Sequence, residues 1–282
     1  MSLALECREL TFRYQGIGAS SNNVLDRVSF ILHRPECIAV VGPSGSGKTT
    51  LIQHFTGLLK PDSGSVFVDG HNIHDKAFPL TRLRQRIGLV FQFPEIQLFE
   101  ETVAADVAFG PRNMGLAEME IDTQVRQALQ SVALPYDRFA RRSPFHLSEG
   151  EKRRAAIAGV LAMQPEMIVF DEPTAGLDPA SVRRIEAICR TLTEERRIVV
   201  VITHHMDFVA NVADRVLVLA SGQLLFDGPP RQLFARPDLL ERADLHVPPF
   251  HAALAQLAPV LPIPLNHSLN LREFLSRLAE LD

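Results

Sequence analysis

Residues 37–55 read CIAVVGPSGSGKTTLIQHF. Five apolar residues run without alternation into a glycine-rich loop, after which apolar residues recur at 51, 52, 55, 58 and 59 with helical spacing. A buried strand, a loop and a helix are expected in that order. The loop Gly42–Thr49 fits G-x-x-x-x-G-K-[ST], a pattern that cradles phosphate when a strand precedes it and a helix follows. Backbone N–H groups converge on an anion only where side chains leave room, hence Gly42, Gly45 and Gly47. The helix N-terminus adds the positive end of its dipole. Lys48 is expected at the β- and γ-phosphates and Thr49 at Mg²⁺, with Pro43, Ser44, Ser46 and Thr50 completing the contact set.

Outward from this loop, residues 1–92 carry short β-branched or aromatic runs punctuated by glycine and proline: ECRELTFRY, RVSFIL, GSVFVDG and IGLVF. The helix of the phosphate loop is the one helix expected among them. From about 102 to 164 the texture turns helical, in TVAADVAFG, EMEIDTQVRQALQSVAL and EGEKRRAAIAGVLAMQ. Strands return at MIVFD, RIVVVIT, RVLVLA and QLLFDG, with helices between the first three. The alternation predicts an α/β chain with a largely parallel sheet covered on both faces, an antiparallel β subdomain and an inserted helical lobe over about 93–164. Residues 1–245 are expected to form this domain. Residues 246–282, a Pro-rich connector with two short amphipathic helical patterns, form a C-terminal extension that packs on the core or on a partner.

Composition narrows the function classes. The 282 residues are 46% hydrophobic, enough for a sizeable core, yet runs such as IVVVI are strand-length and far short of a bilayer span. MSLALECREL carries Glu6 and Glu9 where a secretory signal needs basic and then apolar residues, so an intracellular chain is expected. Cys7, Cys37 and Cys189 lack any C-x-x-C spacing and read as buried thiols. A net charge of −4 with dispersed Lys and Arg gives no basic field for nucleic acid.

Two further stretches carry chemistry. MIVFDEPTAGLDP, residues 167–179, is an apolar strand that ends in adjacent carboxylates, where the turning chain can bring both to one site. Asp171 is expected to hold Mg²⁺ through water, and Glu172 to orient or deprotonate an attacking water. In HLSEGEKRRAAIAGVLAM, residues 146–163, Ser148 and Glu151 have capping-box spacing. The same helix N-terminus, with Gly150 free of a side chain, is suited to a γ-phosphate presented by another subunit.

GPSGSGKTT, Gln92, LSEGEKRR, MIVFDEPTAGLDP and His204 in VVVITHHMD, in that order over about residues 3–235, resemble the ATP-binding cassette family. FQFPEIQLFEETVAADVAFGPRNMG, SPFHLS and KRRAAIAGVLAMQPEMIVFDEPTAGLDP sharpen the resemblance to the ATPase subunits of energy-coupling factor transporters, importers of vitamins or transition-metal ions. The resemblance implies a P-loop NTPase fold with a RecA-like mixed sheet. It implies ATP and Mg²⁺, with Tyr14 stacked on adenine, Gln92 sensing the γ-phosphate, metal and attacking water, His204 holding the γ-phosphate, and Asp178 at a dimer interface. The implied partners are a second cassette subunit, a transmembrane coupling component and a substrate-binding membrane component, with the chain peripheral on the cytoplasmic face of the membrane.

The family has Gly-Gly-Gln after the signature serine, whereas this chain has Glu149, Gly150 and Glu151. Carboxylates near a triphosphate repel it unless they point away or pair with a cation such as Arg153 or Arg154, so slower turnover is expected at this signature, and with it an unequal partner: a heterodimer. After Gln92, the residues Phe91, Phe93, Ile96, Leu98 and Phe99 are expected to floor a groove. Glu95, Glu100, Glu101 and Asp106 would rim it with acceptors for a partner's arginines. Rival readings are a soluble cassette protein acting on nucleic acid or ribosomes, which usually carries two cassettes or long coiled coils, and a small-molecule kinase, which leaves LSEGE and Asp178 unexplained.

Overall fold

The computed structural model describes residues 3–15 and 23–257. Strands β1 (Leu5–Phe12) and β2 (Leu25–Leu32) form an antiparallel pair, and β3 (Cys37–Val41) leads through the phosphate loop into α1 (Lys48–Phe55). There follow β4 (Ser63–Val68), the two-residue β5 (His71–Asn72), α2 (Leu80–Arg86) and β6 (Ile87–Val90). The lobe comprises α3 (Val103–Asn113), α4 (Glu118–Ser131), α5 (Tyr136–Phe139) and α6 (Glu149–Leu161), with 3-10 turns at Pro94–Gln97 and Pro144–His146. Then come β7 (Met167–Asp171), α7 (Pro179–Glu194), β8 (Ile198–Ile202), α8 (Met206–Val212), β9 (Arg215–Ala220) and β10 (Gln223–Gly228). Three short helices close the described chain: α9 (Pro230–Phe234), α10 (Pro237–Arg242) and α11 (Pro249–Leu257).

The strands make two sheets. One has the order β2-β1-β4-β5 and is antiparallel; the other has the order β10-β9-β3-β8-β7-β6, parallel except for the β9–β10 hairpin. Every residue of β3, β7 and β8 is buried, which is why their sequences do not alternate: each face of the sheet meets its own apolar layer. Ile168, Phe170, Val199 and Val201 pack with α3, α4, α6, α7 and α8. Their neighbours Met167, Val169, Ile198, Val200 and Ile202 pack with α1 and the antiparallel sheet. The antiparallel strands do alternate, but β1 changes phase. Leu5 and Cys7 share the buried face with Leu10 and Phe12 because a bulge with Glu9 at φ 49° inserts one residue between the pairs.

The helical lobe is built as expected. Thr102 caps α3 by accepting from the Ala105 N–H at 3.2 Å, and Val103, Val107, Ile121, Val125, Leu129, Ile157 and Leu161 fill its interior. Helix α2 was not disclosed by the sequence, and neither were the short β5, α5, α9 and α10. Helix α2 has seven residues, one of them buried, and follows Pro79 with no side-chain cap. The three cysteines are buried and unpaired, and burial pushes the Cys37 thiol up to about 12. No described helix is long and apolar enough to cross a membrane. Leu239, Leu240, Ala243 and Leu245 pack with β9 and β10, and the His251 ring lies 4.7 Å from that of Phe234. The second helical pattern of the extension lies outside the described residues.

Candidate nucleotide-binding site

In open parallel sheets the C-terminal strand ends converge on a crevice. Here β3 lies between β8 and β9, and β7 between β8 and β6, so the residues after Val41, Val90, Asp171 and Ile202 emerge along one edge. That edge gathers the phosphate loop, Gln92, Asp171, Glu172 and His204.

The phosphate loop is shaped by its glycines in two different ways. Gly42, at φ 145°, lies so close to β9 that a Cβ would fall 1.9 Å from the Leu219 carbonyl oxygen. Gly45, at φ 76°, has nothing within 4 Å of where its Cβ would be: its missing side chain leaves room for a ligand instead of a neighbour. Lys48 Nζ donates to the carbonyls of Gly42 and Pro43, both at 2.8 Å. Desolvation lowers the Lys48 pKa, while Glu172 and Asp171 act in the opposite direction. Ser46 is buried and its N–H donates to Pro43 O at 3.2 Å.

The carboxylates sit where the strand end puts them. The Thr49 hydroxyl donates to Asp171 Oδ2 at 3.3 Å, so a residue of α1 and one of β7 meet although 122 positions separate them. Asp171 is 8% exposed, and burial raises its pKa above the usual aspartate range, with Glu172 adding to the rise. A carboxyl whose folded pKa is raised stabilises the fold relative to the unfolded chain only while protonated; at neutral pH its charge is a cost. Replacing Asp171 with Asn is therefore expected to raise the melting temperature of the nucleotide-free protein at pH 7. At about pH 3, where wild-type aspartate is also largely neutral, melting curves of the two proteins should converge.

Glu172 adopts φ 47°, in the left-handed region, with its N–H bonded to Ile202 O at 3.0 Å. From there it accepts from His204 Nδ1–H across 2.9 Å. His205 instead uses its backbone, donating to Thr203 Oγ1 at 3.0 Å. Gln92 is exposed and makes no hydrogen bond to a described residue. Tyr14 is 46% exposed, with its hydroxyl 3.2 Å from Thr50 Oγ1 and its ring edge-on to Phe12 at 5.0 Å.

Ser148, Gly150 and Asp178 form a second group, with no hydrogen bond or ion pair to the phosphate loop among the described residues. Ser148 and Glu151 complete the expected capping box: Ser148 Oγ accepts from Glu151 N–H at 3.4 Å, and Glu151 Oε2 accepts from Ser148 N–H at 2.9 Å. Ser148 Oγ also donates to that carboxylate, at 3.0 Å. Asp178 caps α7, accepting from the N–H groups of Ala180 and Ser181 and from the Ser181 hydroxyl at 2.6 Å. Helices α6 and α7 meet here, since a Cβ on Gly150 would lie 2.9 Å from Ser181 Oγ. The cation beside Glu149 is Lys152, at 2.8 Å.

Glu95 and Asp106 are not free acceptors on the groove rim, contrary to the sequence expectation. Glu95 is held by the buried Arg153 at 3.0 Å, and Asp106 accepts from the Phe99 and Glu100 N–H groups at 3.1 and 3.0 Å. Acidic residues look solvated in a sequence, and nothing local marks an internal partner 58 residues away. A groove of about 510 Å³ does lie between α2, α3 and α6, but of the five residues expected to floor it only Leu98 and Phe99 line it, together with Phe109, Met114, Val160 and Met163; Phe91, Phe93 and Ile96 do not. Leu98 is buried in its wall, while Phe91, Phe93, Ile96 and Phe99 are exposed.

The family model described as ABC transporter matches residues 25–175. The chain belongs to the ABC transporter family. It is 46% identical over 225 residues to the energy-coupling factor transporter ATP-binding protein EcfA2 of Clostridium perfringens strain 13, covering 79% of each chain. This places it with the energy-coupling factor transporter ATP-binding proteins, the ATPase subunits that energise import. The solved structure of cbiO1 from Clostridium perfringens, part of the ABC transporter complex cbiONQ, superimposes with a TM-score of 0.76 at 34% identity, covering 92% of this chain and all of that one. The ATP-binding cassette MJ0796, solved as a dimer in a post-hydrolysis state with ADP and Pi, gives 0.70 at 28% identity, covering 80% of this chain and 98% of that one. The fold of this ABC ATPase is thus the expected one: a mixed, mostly parallel core with antiparallel and helical subdomains.

Proposed function

We propose that this ABC ATPase closes with a second cassette subunit over two ATP molecules and drives a transmembrane coupling component, and through it a substrate-binding membrane component, from the cytoplasmic face of the membrane. The observation that carries this reading is the division of the site into two groups. Lys48, Thr49, Asp171, Glu172 and His204 cluster at the strand ends, while Ser148, Gly150 and Asp178 lie on helix N-termini that make no bond to them. Each group is half of a nucleotide site, completed by the opposite half of another subunit. A nucleotide touching both subunits favours the closed state, and hydrolysis removes that bridge.

Within one half, backbone N–H groups of the phosphate loop and Lys48 bind the phosphates, with Pro43, Ser44, Ser46, Thr49 and Thr50 as further contacts. Tyr14 offers its exposed ring to adenine. The Thr49 hydroxyl and Asp171 carboxylate are hard oxygen donors 3.3 Å apart and fit Mg²⁺, with Gln92 as a further oxygen. Bound there, the metal would neutralise charge on the phosphoryl oxygens. Glu172 orients and deprotonates the attacking water. With Nδ1 donating to Glu172, His204 has Nε2 left for the γ-phosphate, to which it donates when the ring is doubly protonated.

The signature supports an unequal partner. Ser148 Oγ is already bonded to the Glu151 carboxylate, so a γ-phosphate approaching that hydroxyl meets a negative group 3.0 Å from it. Glu149 is offset in part by Lys152 but remains 70% exposed. Glu149→Gly in the intact complex is expected to raise steady-state ATP hydrolysis several-fold, roughly 1 kcal/mol of relieved repulsion; unchanged or slower phosphate release would count against the assignment.

The apolar groove beside α3 is the docking surface for the coupling component, with Glu100 and Glu101 as acceptors for its arginines. The test is charge reversal of both glutamates. The membrane subunits should then copurify poorly with the cassette while its affinity for a fluorescent ATP analogue is unchanged. Full copurification would remove this surface from the account.

A further inference from the structure

The side chain of Arg153 is 3% exposed and makes four hydrogen bonds from one guanidinium. Nε and Nη2 donate to the Glu95 carboxylate at 3.2 and 3.0 Å, and Nη1 donates to the carbonyls of Pro173 and Ala175 at 3.0 and 2.8 Å. The Phe93 ring centroid lies 5.7 Å from it. Three segments meet at this side chain: α6, which carries it, the 3-10 turn that begins three residues before Gln97, and the loop that follows Glu172. On both flanks the chain is in an unfavourable conformation, with Phe93 at φ 54° next to Gln92 and Glu172 itself at φ 47°. Residues in left-handed backbone persist where their surroundings hold them, and here the same guanidinium holds Glu95, two residues after Phe93, and Pro173, the residue directly after Glu172. Lysine could not replace it, because an ammonium lacks the planar fork that grips a carboxylate on one edge and two carbonyls on the other.

We propose that Arg153 is a positioning residue for hydrolysis: by riveting Glu95 to Pro173 and Ala175, it makes Gln92 and Glu172 move as one unit. A displacement of the groove segment 93–99 by a docked partner is thereby passed to the residue that handles the attacking water. The inference rests on the reading of Gln92 and Glu172 given above, and it adds the connection between them. Arg153 touches neither nucleotide nor water; it acts through the backbone on either side.

The test uses the assembled complex with MgATP and three variants. Arg153→Lys keeps the charge and loses the fork. Glu95→Gln keeps the shape and loses the carboxylate. The double variant Arg153→Met with Glu95→Gln removes both charges together, so that no buried ion is left unpaired and folding is protected. Each is expected to lower kcat about tenfold while KM for ATP and the affinity for a fluorescent ATP analogue stay within about twofold, the signature of a defect confined to the transition state. Melting temperatures above the assay temperature establish that the variants are folded. A kcat within about twofold of wild type in the folded double variant overturns the proposal, as does a fall in kcat matched by an equal loss of nucleotide affinity, which a merely structural role produces. Glu172→Gln is run in parallel: undiminished hydrolysis there would overturn the underlying site reading whatever Arg153 does.

Discussion

Glu172→Gln is expected to reduce phosphate release by about 10²- to 10⁴-fold, the range a positioned general base contributes, while leaving ATP binding intact. The amide has nearly the shape of the carboxylate and can still accept the His204 Nδ1–H, now 2.9 Å away, so the residues around it have no cause to rearrange. What it cannot do is take a proton from water. Binding is expected to be separate because the proposed phosphate contacts, the loop after β3 and Lys48 at the start of α1, lie on other elements than Glu172, directly after β7. Single-turnover phosphate release and equilibrium titration with a fluorescent ATP analogue check the two halves of the expectation. If release continues at the wild-type rate, Glu172 is not the base.

The second large effect falls on folding. Gly42→Ala places a methyl group 1.9 Å from the Leu219 carbonyl oxygen in a backbone conformation, φ 145°, that alanine rarely adopts. Neither partner can step aside, since Leu219 lies within β9 and β9 pairs with β3 immediately before the loop. The cost should exceed about 4 kcal/mol, the range of strained or overpacked core positions. For a chain of this size that lowers Tm by roughly 10 °C. Gly45→Ala makes the informative contrast. With nothing within 4 Å of its Cβ, the substitution costs only the left-handed backbone, about 1–2 kcal/mol, yet puts a methyl where phosphate would sit. Thermal melts with and without ATP separate the two. Gly42→Ala melts early in both conditions, and Gly45→Ala melts nearly normally but gains little from ATP. Equal melting of Gly42→Ala and wild type would show that the loop packs against β9 less tightly than described.

What could be read from the sequence follows from which contacts are local. The phosphate loop, the Asp171–Glu172 pair and the capping box at Ser148 each occupy a short stretch, and the chemistry that demands them is written in their spacing. The strand runs of β3, β7 and β8 were legible for a related reason, because burial on both faces removes polar residues from the run. Contacts made by topology were not legible. The hydrogen bond from His204 to Glu172 exists because β7 and β8 are neighbours, an order no local pattern encodes. Glu95 was read as a free acceptor on the groove rim for the same reason: the arginine that satisfies it, 58 residues away, is brought close only by the packing of the lobe. Arg153 was noticed only as a possible cation for the signature carboxylates, and its partner is instead Glu95, in the turn after β6.

The order of strands has a consequence for how the protein is made. β1, β2 and β4 lie within the first 68 residues and can pair soon after they leave the ribosome. β3 cannot follow them, because its two neighbours begin at Ile198 and Arg215. The loop that ends it therefore waits, through some 160 further residues of synthesis at about 5–20 residues per second, on the order of ten to thirty seconds, with its apolar strand unmatched. A nascent chain interrupted before β8 holds every residue of the phosphate loop and neither of the strands that flank β3.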